Sequence, residues 1–116
     1  MKKIMYIFSL AAILAACESR TYEEISEPTP VLKQVTYNKD VKPLIDANCI
    51  VCHSAGGAAA FQPWTSYTQV KNHIDDILDR IQKPVGDPQK MPQGGALSSS
   101  QINIFIQWKT DGLIEN

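Results

Sequence analysis

Two thiols and an imidazole fall within five residues at Cys49-Ile50-Val51-Cys52-His53, the densest reactive cluster in the chain. The pattern CxxCH is that of covalent haem attachment: two thiols add to the two vinyl groups of a porphyrin, and the adjacent histidine meets the iron. Other chemistries use parts of the same pattern. A thioredoxin-like redox pair follows a strand in an α/β chain, and no strand pattern precedes Cys49. A tetrahedral zinc site needs four ligands, and His73 is the one further histidine. A structural disulfide across a tight turn is the third alternative.

Cysteine arithmetic bears on the choice. The chain has three cysteines, and in an exported protein an odd number needs explaining, because disulfides consume thiols in pairs. Export is indicated by residues 1–16, where Lys2 and Lys3 precede an apolar run from Ile4 to Ala16 broken by Ser9, the pattern of a signal peptide. A membrane-spanning helix needs a longer run, about 20 apolar residues. The ending Leu14-Ala15-Ala16-Cys17 resembles the lipobox of bacterial lipoproteins, whose cysteine is acylated and becomes the first mature residue. Ordinary cleavage near Ala16, leaving a free Cys17, is the alternative. Acylation at Cys17 leaves Cys49 and Cys52 for the other chemistry. The mature chain then carries nine basic against twelve acidic side chains, the wrong sign for a nucleic-acid partner. With 116 residues in all, there is room for one domain.

Residues 36–116 resemble a small class I cytochrome c domain of the mono-haem, bacterial lipoprotein type. The likeness rests on Tyr37 and Asp40-Val41-Lys42-Pro43-Leu44-Ile45 ahead of CxxCH, on Lys90-Met91-Pro92-Gln93-Gly94-Gly95, and on Leu97-Ser98 opening a terminal helix with Trp108 and Gly112. CxxCH is its specific part. The resemblance implies an all-α fold, three to four helices wrapped around one covalent haem c, and electron transfer rather than enzymatic turnover. Cys49, Cys52 and His53 would bind the haem, with His53 as one axial ligand. The resemblance also implies that a loop proline carbonyl, here that of Pro63, accepts the other ring N–H of His53.

The sixth iron position has few candidates. Met1 and Met5 fall in the signal peptide, which leaves Met91, 38 residues beyond His53, as the second axial ligand. Pro84, Pro88 and Pro92 restrict the loop around it and lower the entropy of ordering it. Flanked by Lys90 and Pro92, Met91 has no apolar face to fill as ordinary core packing. His73 is the competitor, bordering the apolar stripe of a helix, where a histidine more often packs than ligates. An open, five-coordinate iron is the third possibility.

Three segments must hold these groups. A helix is expected over Tyr37–Asn48, capped by Thr36 and kinked or divided by Pro43. A second should run from Tyr67 to Gln82, with a Ser66/Gln69 capping box and a buried stripe of Val70, Ile74, Ile77, Leu78 and Ile81. The terminal helix should start at Ser98, paired with Gln101, bury Ile102, Phe105 and Ile106, and stop at Gly112. Phe61 and Trp64, in the loop after CxxCH, are both expected to be buried against the porphyrin. A domain near 80 residues buries only somewhat more than about 60% of its unfolded surface, so the porphyrin is expected to complete the core.

Residues 17–35, with Glu18, Glu23, Glu24, Glu27, Pro28 and Pro30, read as the lipidated end and a flexible linker spanning roughly 20–25 Å on average. The expected protein is a one-electron carrier in the bacterial cell envelope, its haem domain periplasmic. Its partners would be the membrane, through the lipid, redox donor and acceptor proteins, and the haem maturation machinery. A haem sensor or small peroxidase with an open or displaceable sixth position is the rival.

Overall fold

Pro43 decides how the domain begins. It has no N–H to give the preceding turn, and its ring would collide with the carbonyl four residues back. In the computed structural model, which describes residues 33–116, the chain meets this constraint with a π-helical turn, Tyr37–Val41, that runs directly into α1, Lys42–Asn48. Val41 N–H bonds to the Thr36 carbonyl and Lys42 N–H to the Tyr37 carbonyl, both five residues back, and Pro43 then lies in the first turn of α1, where no donor is required. The signal peptide, Cys17 and the linker up to residue 32 lie outside the described residues.

The expected Thr36 cap does not form. Its Oγ1 is buried without a hydrogen-bond partner. The first helical N–H groups are satisfied instead by the C-terminal tail: Tyr37 N–H donates to the Ile114 carbonyl at 2.8 Å and Asn38 N–H to the Glu115 carbonyl at 3.0 Å. Thr36 N–H in turn donates to the Asp40 carboxylate at 2.9 Å.

The second expected helix is two. Ser66 and Gln69 form the capping box that opens α2, Tyr67–Asn72, but His73 leaves helical geometry (φ −118°, ψ 18°) and α3, Ile74–Ile81, starts anew. Asp75 and Asp76 then lie in the first turn of α3, where carboxylates are favoured by the exposed N–H groups and the helix dipole. Breaking the helix at Asn72-His73, two weak helix formers, loses little propensity. Val70, Ile74, Ile77, Leu78 and Ile81 are all buried.

Ser98 and Gln101 form the second capping box and open α4, Ser99–Thr110. Its buried residues are Phe105 and Trp108, whereas Ile106 is 40% exposed. The stripe is therefore rotated toward Trp108, because the tail folds back on that side. Gly112 (φ +96°) reverses the chain, and the tail carbonyls then take Trp108 Nε1–H at Ile114 (2.8 Å) and Tyr67 O–H at Leu113 (2.7 Å). Lys109 reaches Asp75 at 2.6 Å, an exposed pair linking α4 to α3, and such pairs contribute little.

Trp108, Phe105, Ile45, Val41 and Val70 are fully buried, and Tyr37 packs between Tyr67 (ring centroids 5.5 Å apart) and Trp108 (5.7 Å). Helices, with Trp64 and Leu97 from the connecting loops and no strand among the described residues, build this core. Because Trp108 is both fully enclosed and bonded to the tail, Trp108→Ala should destabilise the domain by about 3–5 kcal/mol. Urea unfolding checks this; an unchanged midpoint would refute the role given to Trp108.

Candidate functional site

Cys49, Cys52 and His53 stand at i, i+3 and i+4, a spacing that one helical turn gathers on a single side. The chain makes that turn as a continuation of α1. Cys49 N–H bonds to the Ile45 carbonyl at 2.8 Å, and the Cys49 carbonyl accepts from both Cys52 N–H (3.2 Å) and His53 N–H (2.9 Å).

The following loop locks the turn. Ala59 N–H donates to the Cys52 carbonyl at 2.9 Å. Gly57 lies so close that a Cβ there would come within 2.2 Å of that oxygen, so the position admits no side chain. Farther along, Trp64 N–H donates to the His53 carbonyl at 2.9 Å, and the His53 ring lies against Trp64 with centroids 5.2 Å apart.

His53 Nδ1 lies 2.7 Å from the carbonyl of Gln62, not that of Pro63. A carbonyl only accepts, so Nδ1 carries the proton and the Nε2 lone pair is left for a ligand. The acceptor is thus the carbonyl of the Gln62–Pro63 peptide bond, one residue before the expected one. An X-Pro step in the loop was the available signal; the expectation was displaced by one residue.

Facing the turn is a second wall, made by α3 and the loop after it. Between the walls lies a cleft of about 610 Å³ lined by Cys49, Cys52, His53 and Met91, together with Ile77 and Arg80. Its size lies within the range of about 300–1,000 Å³ usual for small-molecule and cofactor sites. Cys49, Cys52, His53 and Met91, four site residues expected from sequence, thus share one cavity; Cys17 lies outside the described residues. Met91 is half-buried, and its N–H donates to the Arg80 carbonyl at 3.1 Å. His73 is not in the cleft lining. It sits behind Trp64, ring centroids 5.0 Å apart, with Nδ1 3.2 Å from Asp76 Oδ2.

The aromatic expectation holds for one residue of two. Trp64 is buried, whereas Phe61 is 86% exposed at the cleft and Val51 is 78% exposed beside it. Arg80 and Lys90 are contributions that sequence reasoning missed. Arg80 is the one cation of the cleft lining among the described residues, and nothing local marked it apart from its acidic neighbours. Lys90 acts on carbonyls seven and nine residues back, a distance no local pattern reports.

Cys49 and Cys52 are both free thiols. Burial pushes the Cys49 thiol up to about 11, opposite to the lowered value that thiol–disulfide exchange requires. Among the described residues no group of three or more His, Cys, Asp and Glu side chains is gathered as a metal site, so a protein-only zinc centre finds no ligand set there. No family model, curated protein or solved structure matches the chain.

Gly57→Ala should destabilise the turn by about 1–3 kcal/mol, the usual cost of forcing atoms into filled space, and chemical unfolding measures it. The second expectation concerns pH. The folded thiol of Cys49 titrates above its ordinary value of 9.0, at about 11, so the neutral form is the one the fold favours. Its contribution to stability is complete below pH 9 and is lost as pH rises toward 11. In the chain with both thiols free, iodoacetamide should therefore label Cys49 slowly at pH 8 and faster as pH approaches 11 or on adding urea. Labelling at pH 8 as fast as in urea would refute the burial argument.

Proposed function

We propose that residues 36–116 form a mono-haem cytochrome c domain with a small class I fold, its helices wrapped around one covalent haem c. On this reading the protein is a one-electron carrier, held by an acyl chain on Cys17 to a membrane of the bacterial cell envelope with its haem domain periplasmic. The observation that carries the reading is the meeting of CxxCH and Met91 at one cleft. CxxCH alone is a sequence pattern; the structure adds that Met91, 38 residues beyond His53 and packed against the edge of the core, lines the same cleft.

The chain's own groups suit such a cofactor. Each cysteine would add its S–H across a vinyl C=C, sulfur bonding one carbon and hydrogen the other, so nothing is expelled and no oxidant is consumed. His53, with Nδ1 tied to Gln62, presents Nε2 in a fixed tautomer and orientation; such an anchor also raises its basicity as a ligand. Met91 offers a thioether from the opposite wall. Phe61 and Val51 would leave water on contact with a large apolar plane, a gain of about 1.5–3 kcal/mol for each side chain fully covered. Arg80 offers a guanidinium to the cofactor's carboxylates. When bound, the haem would supply a one-electron iron couple, and His53 and Met91, if both are retained through the redox change, would suit it to electron transfer rather than to substrate binding.

Charge distribution bears on partners. The described residues carry eight acidic and eight basic side chains, so the excess acidity of the mature chain lies in the linker, at Glu18, Glu23, Glu24 and Glu27. Docking of the haem domain onto donor and acceptor proteins would then rely little on net charge. The tether would keep their local concentration high. Periplasmic haem maturation machinery is the further partner that this reading requires.

Protein matured with haem should keep its pigment through acid–acetone extraction, since thioether bonds survive it; a colourless pellet would overturn the reading. The reduced protein should bind no carbon monoxide at neutral pH, while Met91→Ala should bind it stoichiometrically. Rapid, stoichiometric binding by the unaltered protein would instead favour a haem sensor or small peroxidase with a displaceable sixth ligand.

A further inference from the structure

We propose that Lys90 is the positioning residue of the Met91 wall, clamping the methionine loop to the end of α3; the inference rests on Met91 being an iron ligand. Helix α3 ends without a glycine cap. Gln82 follows in ordinary helical geometry and Pro84 comes two residues later, so the last carbonyls lack the local donors that a glycine turn provides.

Lys90 brings those donors from the far side of the loop. Its Nζ donates to the Ile81 carbonyl at 3.3 Å and to the Lys83 carbonyl at 2.5 Å, and the next N–H, that of Met91, donates to the Arg80 carbonyl at 3.1 Å. Two consecutive residues thus hold two carbonyls of the last turn of α3, those of Arg80 and Ile81, and a third, that of Lys83, just past its C-cap. A cation is the favoured donor there, because the C-terminal carbonyls of a helix carry partial negative charge. The neighbouring charges are engaged elsewhere: Lys83 and Arg80 face Asp79 at 3.4 and 3.8 Å, and the Asp87 carboxylate accepts from Gln89 N–H at 2.7 Å.

The loop between is internally braced. Lys90 N–H donates to the Asp87 carbonyl at 3.0 Å, and Gln93 Nε2 donates to the carbonyls of Pro88 (3.1 Å) and Lys90 (3.3 Å). These bonds tie residues 87–93 to one another, and the clamp at Lys90 sets where that segment lies against α3. Releasing the clamp would leave the thioether in the chain but uncouple it from the wall that aims it.

The test uses the full haem-loaded chain with Lys90→Gln and Lys90→Arg, read by the sulfur-to-iron charge-transfer absorption of the oxidised form and by carbon monoxide binding to the reduced form. Lys90→Gln should weaken the absorption and raise the apparent carbon monoxide affinity about tenfold, equivalent to about 1.4 kcal/mol, while Lys90→Arg, which keeps the cation, should restore both. Lys90→Gln behaving as the unaltered chain while Met91→Ala binds carbon monoxide fully would overturn the clamp and leave the cytochrome reading standing. Met91→Ala changing neither signal would overturn the ligand assignment and the clamp together. Should Lys90→Gln fail to fold, amide hydrogen exchange of the unaltered protein decides: a slowly exchanging Met91 N–H supports the clamp, and a freely exchanging one overturns it.

Discussion

The Cys49 carbonyl accepts two N–H groups, from Cys52 and His53, and the geometry of the site depends on that pairing. A helical turn closed in this way brings the Cβ atoms of the two cysteines and the histidine to one side of the backbone, and all three residues line one cleft. The turn is then fixed from outside. Its Cys52 carbonyl is covered by Gly57 and bonded to Ala59, and its histidine is held at both ring and backbone by the loop that ends in Trp64. A ligand set on loops is imprecise unless its supports are rigid; here the hydrogen bonds to the turn come from backbone groups, which no rotamer change can withdraw, and the Trp64 ring packs against the imidazole.

The opposite wall is built differently. Met91 belongs to a loop hydrogen-bonded to the end of α3, and α3 is a separate helix because the chain breaks at His73. That break also places His73 behind Trp64 rather than in the cleft, which separates the two histidines by role. One imidazole faces the cavity with a fixed tautomer; the other lies half-exposed beside an aspartate. The core around Trp108 carries both walls and shares Trp64, Ile77 and Ile81 with the cleft lining, so those side chains serve core stability and cleft shape together.

Much of this organisation is legible in short stretches of sequence. Both capping boxes, Ser66 with Gln69 and Ser98 with Gln101, form as their three-residue spacing requires, and Gly112 ends the last helix. The division at Pro43 follows from a missing donor. In each case the interacting groups are at most five residues apart, so the pattern is the cause. Where expectation and structure differ, the deciding partner is distant. Thr36 does not cap because the tail near Ile114 already does, and Ile106, expected in the buried stripe, is left part-exposed while the tail bonds the indole of Trp108. The Pro63 assignment differs by one position, since which carbonyl meets a ring depends on the whole path of the loop.

Composition and spacing determined the kinds of chemistry present: CxxCH, Met91 as the one methionine after residue 5, and the two capping boxes that open helices. These are properties of neighbours along the chain, where backbone geometry alone sets the distances. Only the tertiary structure decided that Met91 and not His73 shares the cleft with His53, that Gln62 holds the imidazole, and that Val35 is tied to Asp111, 76 residues away. Such pairings arise when distant segments compete for the same donors, acceptors and buried space, and that competition is settled by the packed chain as a whole.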